Sequence, residues 1–303
     1  KKYSSSRIYL VKQVNICILG SNGLLGSVLS KKLVSPKNKL FLISKKKLKG
    51  SKNSFHSINL NNLKKLKYFF ALSKPDVVIN CVANTNVDEC QKFKKKALNL
   101  NSQIVKNIVL VLDKINLNPH IVHISTDQVY NQLPNKVNRE KDINLSNYYG
   151  ISKYKGEEAL KDYKKKTILR TNFFGKSIKS KKKSFSELII ESYKNKFFVS
   201  VPENIYFNPV NFKTIVKVIK IIIKGKIFGI YNLGSKGRIS KYEFAKYLLK
   251  SKRYSDKFIK PYVSKYQIHM RPLNTVMHSG KLEKKINFKL PTIKNSIINS
   301  YRN

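Results

Sequence analysis

The chain has 303 residues, and its 41% hydrophobic and 11% aromatic content is enough to build the core of one large domain or two intertwined ones. The 12 Gly and 9 Pro exclude collagen-like and low-complexity chains. The net charge of +46 suggests an anionic partner, but only 7 of the 62 basic residues are Arg and Lys is spread over every segment, so the charge indicates a compositional bias rather than a nucleic-acid site.

Cysteine usage and hydropathy bear on the compartment. Cys17, Cys81 and Cys90 are too few and too irregularly spaced for a disulfide framework or a zinc site. Cys17 and Cys81 lie in apolar runs, which predicts buried, reduced thiols and a cytoplasmic protein. The most apolar later run, Ile215–Ile223, is interrupted by two lysines, so we expect an amphipathic helix and no membrane segment.

The first part of the chain alternates strand-like and helix-like segments. Short apolar runs predict strands at 14–20, 40–44, 76–82, 120–125 and 167–171. The segments between them predict helices at 23–33, 63–72, 88–115 and 147–163. This alternation is typical of right-handed crossovers, and it predicts an α/β protein with a Rossmann-type, doubly wound parallel sheet.

The pattern is looser beyond residue 175. It predicts helices at 185–193, 211–224 and 241–249, a strand at 229–233, and a last helix after Pro291. There is no internal repeat and no long linker. We therefore predict an N-terminal extension at 1–13, a dinucleotide-binding domain at 14–173, and a smaller, mainly substrate-binding part at 174–303 that is intertwined with it.

A glycine-rich turn follows the first predicted strand directly. Gly20, Asn22, Gly23, Leu24, Leu25 and Gly26 belong to a G-x-x-G-x-x-G pattern that leads into the first helix. Such a turn presents backbone N–H groups at the positive end of a helix, which suits a pyrophosphate. Its position after the first strand of a dinucleotide fold predicts cofactor binding.

The end of the second predicted strand bears on the choice of cofactor. An acidic residue there would bind the ribose 2′-hydroxyl of NAD, but this chain has Ser44 and Lys45 followed by two more lysines. Because these cations favour a 2′-phosphate, we predict NADP(H), with NAD(H) as the alternative.

A tyrosine and a lysine at helical spacing form the candidate acid–base pair. Tyr149 and Lys153 lie four residues apart, on one face of a predicted helix. A nearby ammonium favours the phenolate, so this phenol can exchange a proton with a carbonyl oxygen. Thr126 follows the strand at 120–125, where the carboxyl end of a parallel strand meets the ligand crevice, and can bind the same oxygen.

Taken together, these motifs resemble the extended short-chain dehydrogenase/reductase superfamily and, within it, the dTDP-4-dehydrorhamnose reductase family. The resemblance extends from about residue 14 to the C-terminus. It is carried by GSNGLLG at Gly20–Gly26, KPDVVINCVANTNVDEC at Lys74–Cys90, HISTDQVY at His123–Tyr130, NYYGISKYKGEEAL at Asn147–Leu160, LRTNFFG at Leu169–Gly175, GIYNLGSKGRISKYEFAK at Gly229–Lys246 and RPLNTVMHSGKLEK at Arg271–Lys284.

The resemblance implies an NADP(H)-dependent reductase of a nucleotide-activated 4-keto-6-deoxy sugar. Tyr149 would donate the proton, Lys153 would hold the nicotinamide ribose and tune Tyr149, and Thr126 would bind the substrate carbonyl. Further implied positions are Asn59 and Leu60 at the adenine, Ala83, Asn84 and Thr85 at the centre of the cofactor, and Asn101 at a proton-relay water.

The implied sugar pocket departs from the family pattern. Asp127 would lie beside the sugar, and Phe173 stands near the position of a family Trp that this chain lacks. The family element D-Q-x-G-x-P-T is represented by 203–210, in which Asn204 replaces the Gln. These changes leave the sugar undetermined.

Two other functions stay open on the sequence. A nucleotide-sugar epimerase of the same superfamily would use the same Tyr and Lys, and a non-catalytic dinucleotide-binding regulatory subunit could retain both. A dehydratase is disfavoured because Gln128, and not a second acid, follows Asp127. The expected partner is a nucleotide sugar, with no nucleic acid, membrane or metal; a homodimer is left open.

Overall fold

A seven-stranded parallel sheet forms the centre of the protein, in the order β11-β6-β5-β4-β1-β2-β3. The computed structural model describes residues 13–45, 54–133, 135–178, 183–265 and 271–301. In chain order the strands are β1 Val14–Leu19, β2 Asn38–Ser44, β3 Ser54–Ser57, β4 Val77–Asn80, β5 His120–Ile124, β6 Lys166–Thr171, β7 Phe173–Phe174, β8 Val199–Pro202, β9 Tyr206–Phe207, β10 Val210–Asn211, β11 Gly229–Leu233, β12 Ile239–Ser240 and β13 Ile259–Tyr262.

Helices cover both faces of this sheet. They are α1 Leu24–Lys32, α2 Leu63–Ser73, α3 Val87–Lys92, α4 Lys94–Leu98, α5 Ile104–Lys114, α6 Tyr148–Glu158, α7 Phe185–Lys194, α8 Phe212–Gly225, α9 Lys241–Ser251, α10 Gly280–Ile286 and α11 Ile293–Ser300. Apolar residues of α1, α8 and α10 form the core on one face, and those of α2 and α5 form it on the other. The predicted doubly wound Rossmann-type fold is therefore confirmed.

The strand order reverses between β1 and β4, which both pair with their neighbours in parallel. At this point the connections that follow the two strands lie on opposite faces of the sheet. The carboxyl ends of the two strands therefore border a crevice, which is where ligands bind in such sheets. The fold thus places the residues that follow β1, β4 and β5 around one site.

The C-terminal part is intertwined with the sheet. Strand β11 extends the sheet beyond β6, and α8 packs on the same face as α1. A third core lies outside the sheet, where α7, α9 and α11 pack together with the small pair of β8 and β13. The predicted boundary at residue 173 therefore does not separate two compact units, because elements from both sides of it share one sheet and one core.

The single long helix predicted at 88–115 is wrong. The chain leaves helical geometry at Phe93, where φ is −118° and ψ is 66°, and it continues as α4, a π-helical turn at Asn99–Gln103 and α5. Asn101 in that turn uses its side-chain amide to bind the backbone of Asn84. This long-range contact competes with regular helix geometry, and local periodicity does not reveal it.

The cysteine prediction is confirmed in part: none of the three cysteines forms a disulfide and Cys17 is buried, but Cys81, which was also predicted to be buried, is partly exposed at its surface. Burial raises the pKa of the Cys17 and Cys81 thiols to about 12, so both are protonated and unreactive at neutral pH. Across the described ranges, no helix combines the length and apolarity that a membrane span requires. Residues 1–12 of the predicted N-terminal extension, and Lys46 and Lys47, lie outside the described residues.

Candidate active site

The turn between β1 and α1 has the geometry of a phosphate-binding loop. The N–H groups of Gly20 and Ser21 both donate to the Ile43 carbonyl, at 2.9 and 3.0 Å, which fixes the turn against β2. Gly20 has a φ of +77°, which glycine adopts without strain. Gly23 is the N-cap of α1 and offers no side chain to its first turn, so the amides there face an incoming ligand.

Two glycines in this turn serve different purposes. A Cβ on Gly26 would lie 2.1 Å from the Gly20 carbonyl oxygen, so Gly26 permits the close packing of α1 on β1. A Cβ on Gly23 would meet only that oxygen, at 3.2 Å, and otherwise open space. The space beside Gly23 and the first-turn amides, which Leu24 and Leu25 also supply, fit the pyrophosphate of a dinucleotide.

The loop after β4 supplies a second cofactor element. Ala83 is half-buried, Asn84 is buried and Thr85 is exposed. Asn101 clamps this loop: its Oδ1 accepts from the Asn84 N–H at 2.7 Å, and its Nδ2 donates to the Asn84 carbonyl at 3.1 Å. Among the described residues, the buried Asn84 Nδ2 has no acceptor, which fits a bound group rich in oxygen.

The outer cofactor residues lie at the ends of β2 and β3. Ser44 ends β2 and Lys45 is exposed beside it, so a cation stands at the position that selects between the two dinucleotides. Asn59 Oδ1 accepts from the Asn61 N–H at 3.1 Å, while Leu60 is buried in the core. Leu60 therefore has less surface to offer an adenine than the sequence suggested.

The three candidate catalytic residues converge at the carboxyl end of β5. Tyr149 and Lys153 are buried on α6, and the Thr126 hydroxyl is near enough to the Tyr149 phenol to act on its pKa. Lys153 Nζ donates to the Ile124 carbonyl at 2.6 Å and lies 3.3 Å from His123 Nε2. The ammonium is thus directed at the end of β5. The expected lowering of the Tyr149 pKa by Lys153 is not seen, because burial raises that pKa and Lys153 is not among the groups that act on it.

Burial dominates the electrostatics of this pair. It raises the pKa of Tyr149 above its usual value; the hydrogen bond from Thr126 opposes that shift, and the charge of Asp127 adds to it. Burial also lowers the pKa of Lys153 to about 8, although Glu157 pulls it upwards. At neutral pH the phenol is protonated and can act as an acid.

The predicted sugar-pocket residues are engaged by the protein itself. Asp127 is buried, and its Oδ2 accepts from Asn172 Nδ2 at 3.0 Å and from Thr275 Oγ1 at 2.7 Å. Phe173 packs against Phe212, with ring centroids 5.5 Å apart. Asp127 therefore orders the strand end, and Phe173 is partly a core residue.

Asn204 uses its side chain to hold a neighbouring loop. Its Nδ2 donates to the Ser264 carbonyl and its Oδ1 accepts from the Ser264 N–H, each at 2.8 Å. Both polar atoms of the amide hold a neighbouring loop. In this structure Asn204 is thus a loop clamp, and its predicted contact with the substrate stays a prediction.

Sequence reasoning missed a buried ion pair behind the site. Arg170 Nη2 lies 2.6 Å from Glu157 Oε2, and the Ser125 hydroxyl donates to the same carboxylate. Arg170 Nη1 donates to the Tyr130 phenol at 2.8 Å. The sequence did carry a signal for this pair. Arg170 is one of only seven arginines and lies in a predicted buried strand, and Glu157 is an acid one helical turn after Lys153.

Comparisons with known proteins agree with this geometry. A family model described as the RmlD substrate binding domain matches residues 14–303. The spore coat polysaccharide biosynthesis protein SpsK of Bacillus subtilis is 28% identical over 234 residues, 76% of each chain. A dTDP-4-dehydrorhamnose reductase of Aggregatibacter actinomycetemcomitans is 28% identical over 239 residues, again 76% of each chain.

A solved structure extends the likeness to the fold. A dTDP-4-dehydrorhamnose reductase from Bacillus anthracis, in complex with NADP, superimposes with a TM-score of 0.83 at 23% identity, over 95% of this chain and 99% of that one. The family resemblance and the oxidoreductase class predicted from the sequence are thus confirmed.

Proposed function

The chain belongs to the RmlD substrate-binding domain family, and from this membership we propose that it is an NADP(H)-dependent reductase of a nucleotide-activated 4-keto-6-deoxy sugar. The names of its relatives support the substrate class, and the NADP complex of a structural neighbour supports the cofactor. The basic end of β2 at Lys45 supports the same dinucleotide.

One observation carries the proposal: a buried, protonated phenol and a strand-end hydroxyl lie together beside a phosphate-binding turn. Tyr149 has the raised pKa of a group that holds its proton at neutral pH, and the Thr126 hydroxyl is near enough to act on that pKa. A carbonyl oxygen placed between these hydroxyls would receive two hydrogen bonds, and one of them supplies a transferable proton.

The reaction follows from these positions. When bound, NADPH supplies a hydride to the C4 carbonyl carbon. Tyr149 gives its phenolic proton to the carbonyl oxygen, so that the ketone becomes a secondary alcohol. Thr126 keeps the oxygen in register with the phenol, and the Lys153 ammonium stabilises the phenolate that remains. Burial excludes water from the proton-transfer path.

The loop residues hold the reactants for this step. Asn101 fixes the backbone at Asn84, and Asp127 fixes Thr126 through their 3.2 Å contact. Such orientation increases the reaction rate strongly, because the reacting atoms are already held in the geometry that the reaction requires.

The test is to incubate the protein with NADPH and a panel of nucleotide-linked 4-keto-6-deoxy sugars, and to follow the absorbance of the reduced nicotinamide. We expect loss of absorbance with at least one sugar and formation of the corresponding 4-hydroxy product. Tight NADPH binding without turnover on the whole panel would favour a regulatory subunit, and interconversion of 4-hydroxy epimers without net oxidation would favour an epimerase.

A further inference from the structure

A buried carboxylate stands directly behind the Tyr149–Lys153 pair. Glu157 lies one helical turn after Lys153 on α6 and is 4% exposed. Three hydrogen bonds from Arg170 and one from Ser125 hold its carboxylate in place, and Ser125 directly follows Ile124, whose carbonyl binds the Lys153 ammonium. Burial of a charged pair costs desolvation free energy, so we expect this pair to serve a function at the site.

The ammonium of Lys153 is surrounded from three sides. From β5, the Ile124 carbonyl accepts its hydrogen bond and His123 lies at 3.3 Å. From the end of β4, the Cys81 thiol acts on it, and from its own helix Glu157 does so. Burial and Lys153 itself lower the pKa of His123 far below its usual value, so the imidazole is neutral, and burial keeps the Cys81 thiol protonated.

Glu157 is consequently the one anion among the described groups that act on Lys153 at neutral pH. Tyr149, on the same helix, is protonated, and the Arg170 guanidinium of β6 is paired with Glu157 itself. Removal of the Glu157 charge would leave a buried cation with only a carbonyl and two neutral groups as neighbours.

We propose that Glu157 is a positioning residue for the reduction: held by Arg170 and Ser125, its carboxylate keeps the buried Lys153 ammonium charged at the end of β5. This inference rests on the proposed function for its kinetic consequence. Arg170 and Ser125 act through Glu157, and none of the three touches the substrate carbonyl.

The sign of the effect can be worked out. Burial lowers the pKa of Lys153 to about 8, and Glu157 opposes that change. Loss of the carboxylate should therefore lower the pKa further, and the ammonium should be lost at a lower pH. An opposite charge at close range shifts a pKa by about 1–3 units. The high-pH limb of turnover, and that of NADPH binding, should move down by at least about 1 unit.

The experiment compares wild type, Glu157→Gln and the matched control Glu158→Gln, which removes an exposed carboxylate from the next position of the same helix. For each protein, kcat/KM for the keto sugar at saturating NADPH and the Kd of NADPH are measured from pH 6 to pH 10. We expect the midpoint of both high-pH limbs to fall in Glu157→Gln and to stay at the wild-type value in Glu158→Gln.

Folding is kept separate from titration. If Glu157→Gln does not fold, Glu157→Gln combined with Arg170→Met removes both buried charges, and it should show the same downward shift. Glu157→Asp retains the charge and should bring the midpoint back towards wild type. An unchanged midpoint in a folded variant that lacks the carboxylate would overturn the proposal, even if its overall rate fell.

The failure of the two proposals can be told apart. If wild type reduces no sugar on the panel, the proposed reductase function fails, while the pH dependence of NADPH binding still tests Glu157. If wild type is active and the NADPH-binding midpoint does not move in Glu157→Gln, the inference about Glu157 fails and the reductase stands.

Discussion

Thr275 Oγ1 donates a 2.7 Å hydrogen bond to Asp127 Oδ2, across 148 residues of the chain. Asn172 Nδ2 donates to the same oxygen, and Thr126 contacts the other. Burial raises the pKa of the Asp127 carboxyl group, and these three hydrogen bonds oppose that change. A segment from the far C-terminal part thus stabilises the acid that contacts Thr126 at the end of β5.

Thr275→Val should therefore destabilise the protein. It retains the shape of the side chain but leaves a buried acid with one donor fewer, which costs about 1.5–3 kcal/mol for a hydrogen bond to a charged group. Urea unfolding at pH 7 measures the change. Thr275→Ser retains the hydroxyl and serves as the control. Equal stability of the Val and Ser variants would show that this bond does not support the fold.

Tyr149→Phe should abolish reduction and leave NADPH affinity nearly intact. The phenolic proton moves only in the transition state, and a general acid contributes about a hundredfold to ten-thousandfold in rate. Initial rates and NADPH titration measure the two quantities separately.

Tyr148 provides the matched control because it is the neighbouring phenol on α6 and is only half-buried. It points about 100° away from Tyr149 around the helix, so Tyr148→Phe should retain turnover. Wild-type turnover in Tyr149→Phe would eliminate this residue as the acid.

The two glycines of the turn should respond differently to alanine. Gly26→Ala forces a Cβ to within 2.1 Å of the Gly20 carbonyl oxygen, and such overpacking costs about 1–3 kcal/mol of stability. Gly23→Ala should fold with little loss, but its Cβ would occupy the open space that we assign to the pyrophosphate, so NADPH should bind about tenfold more weakly, a loss of roughly 1.4 kcal/mol. Thermal unfolding and NADPH titration distinguish the two effects. Normal NADPH binding by Gly23→Ala would show that this turn does not bind the phosphates of the cofactor.

Much of this fold could be predicted from local patterns. The runs that became β1, β4 and β5 are continuously apolar because both faces of the sheet are covered, and that signal needs no tertiary information. Strand β3 was missed because Ser54–Ser57 is a short edge strand without an apolar run. The π-helical turn at Asn99–Gln103 was missed because its Asn101 binds the distant Asn84 backbone, a contact that local periodicity does not reveal.

The site shows the same division. The location of Thr126 after β5 and of Tyr149 and Lys153 on α6 could be predicted because these positions follow from the element order; their catalytic roles stay predictions. The partners of Asp127 could not be, since Asn172 and Thr275 come from distant parts of the chain. Ser and Thr hydroxyls occur throughout the sequence, and only the folded arrangement selects which of them meets a buried carboxylate.

Lys45 should contribute to the choice of dinucleotide. Lys45→Ala removes a cation at the end of β2, so it should weaken binding of NADPH more than that of NADH, which differs only by lacking the 2′-phosphate. The residue is exposed, and an exposed ion pair contributes up to about 1 kcal/mol, so we expect a difference of up to about fivefold. Lys39→Ala removes an exposed cation near the other end of the same strand and is the control. An equal loss of affinity for NADPH and NADH would show that Lys45 contributes only to the overall positive charge and does not recognise the 2′-phosphate.

The positive surface charge should increase the rate at which nucleotide sugars reach the protein, without determining which sugar is reduced. A net charge of +46 attracts the diphosphate of a nucleotide sugar, and this attraction weakens as salt rises. The Debye length falls from about 30 Å at 0.01 M to about 8 Å at 0.15 M salt, whereas contacts inside a buried site are screened much less. Over this range kcat/KM should therefore fall for every accepted nucleotide sugar by a similar factor, and the ratio between two sugars should stay constant. Steady-state assays on two such substrates at matched pH test this expectation. A ratio that approaches one as salt rises would show that the long-range field, and not the site around Thr126 and Tyr149, distinguishes the substrates.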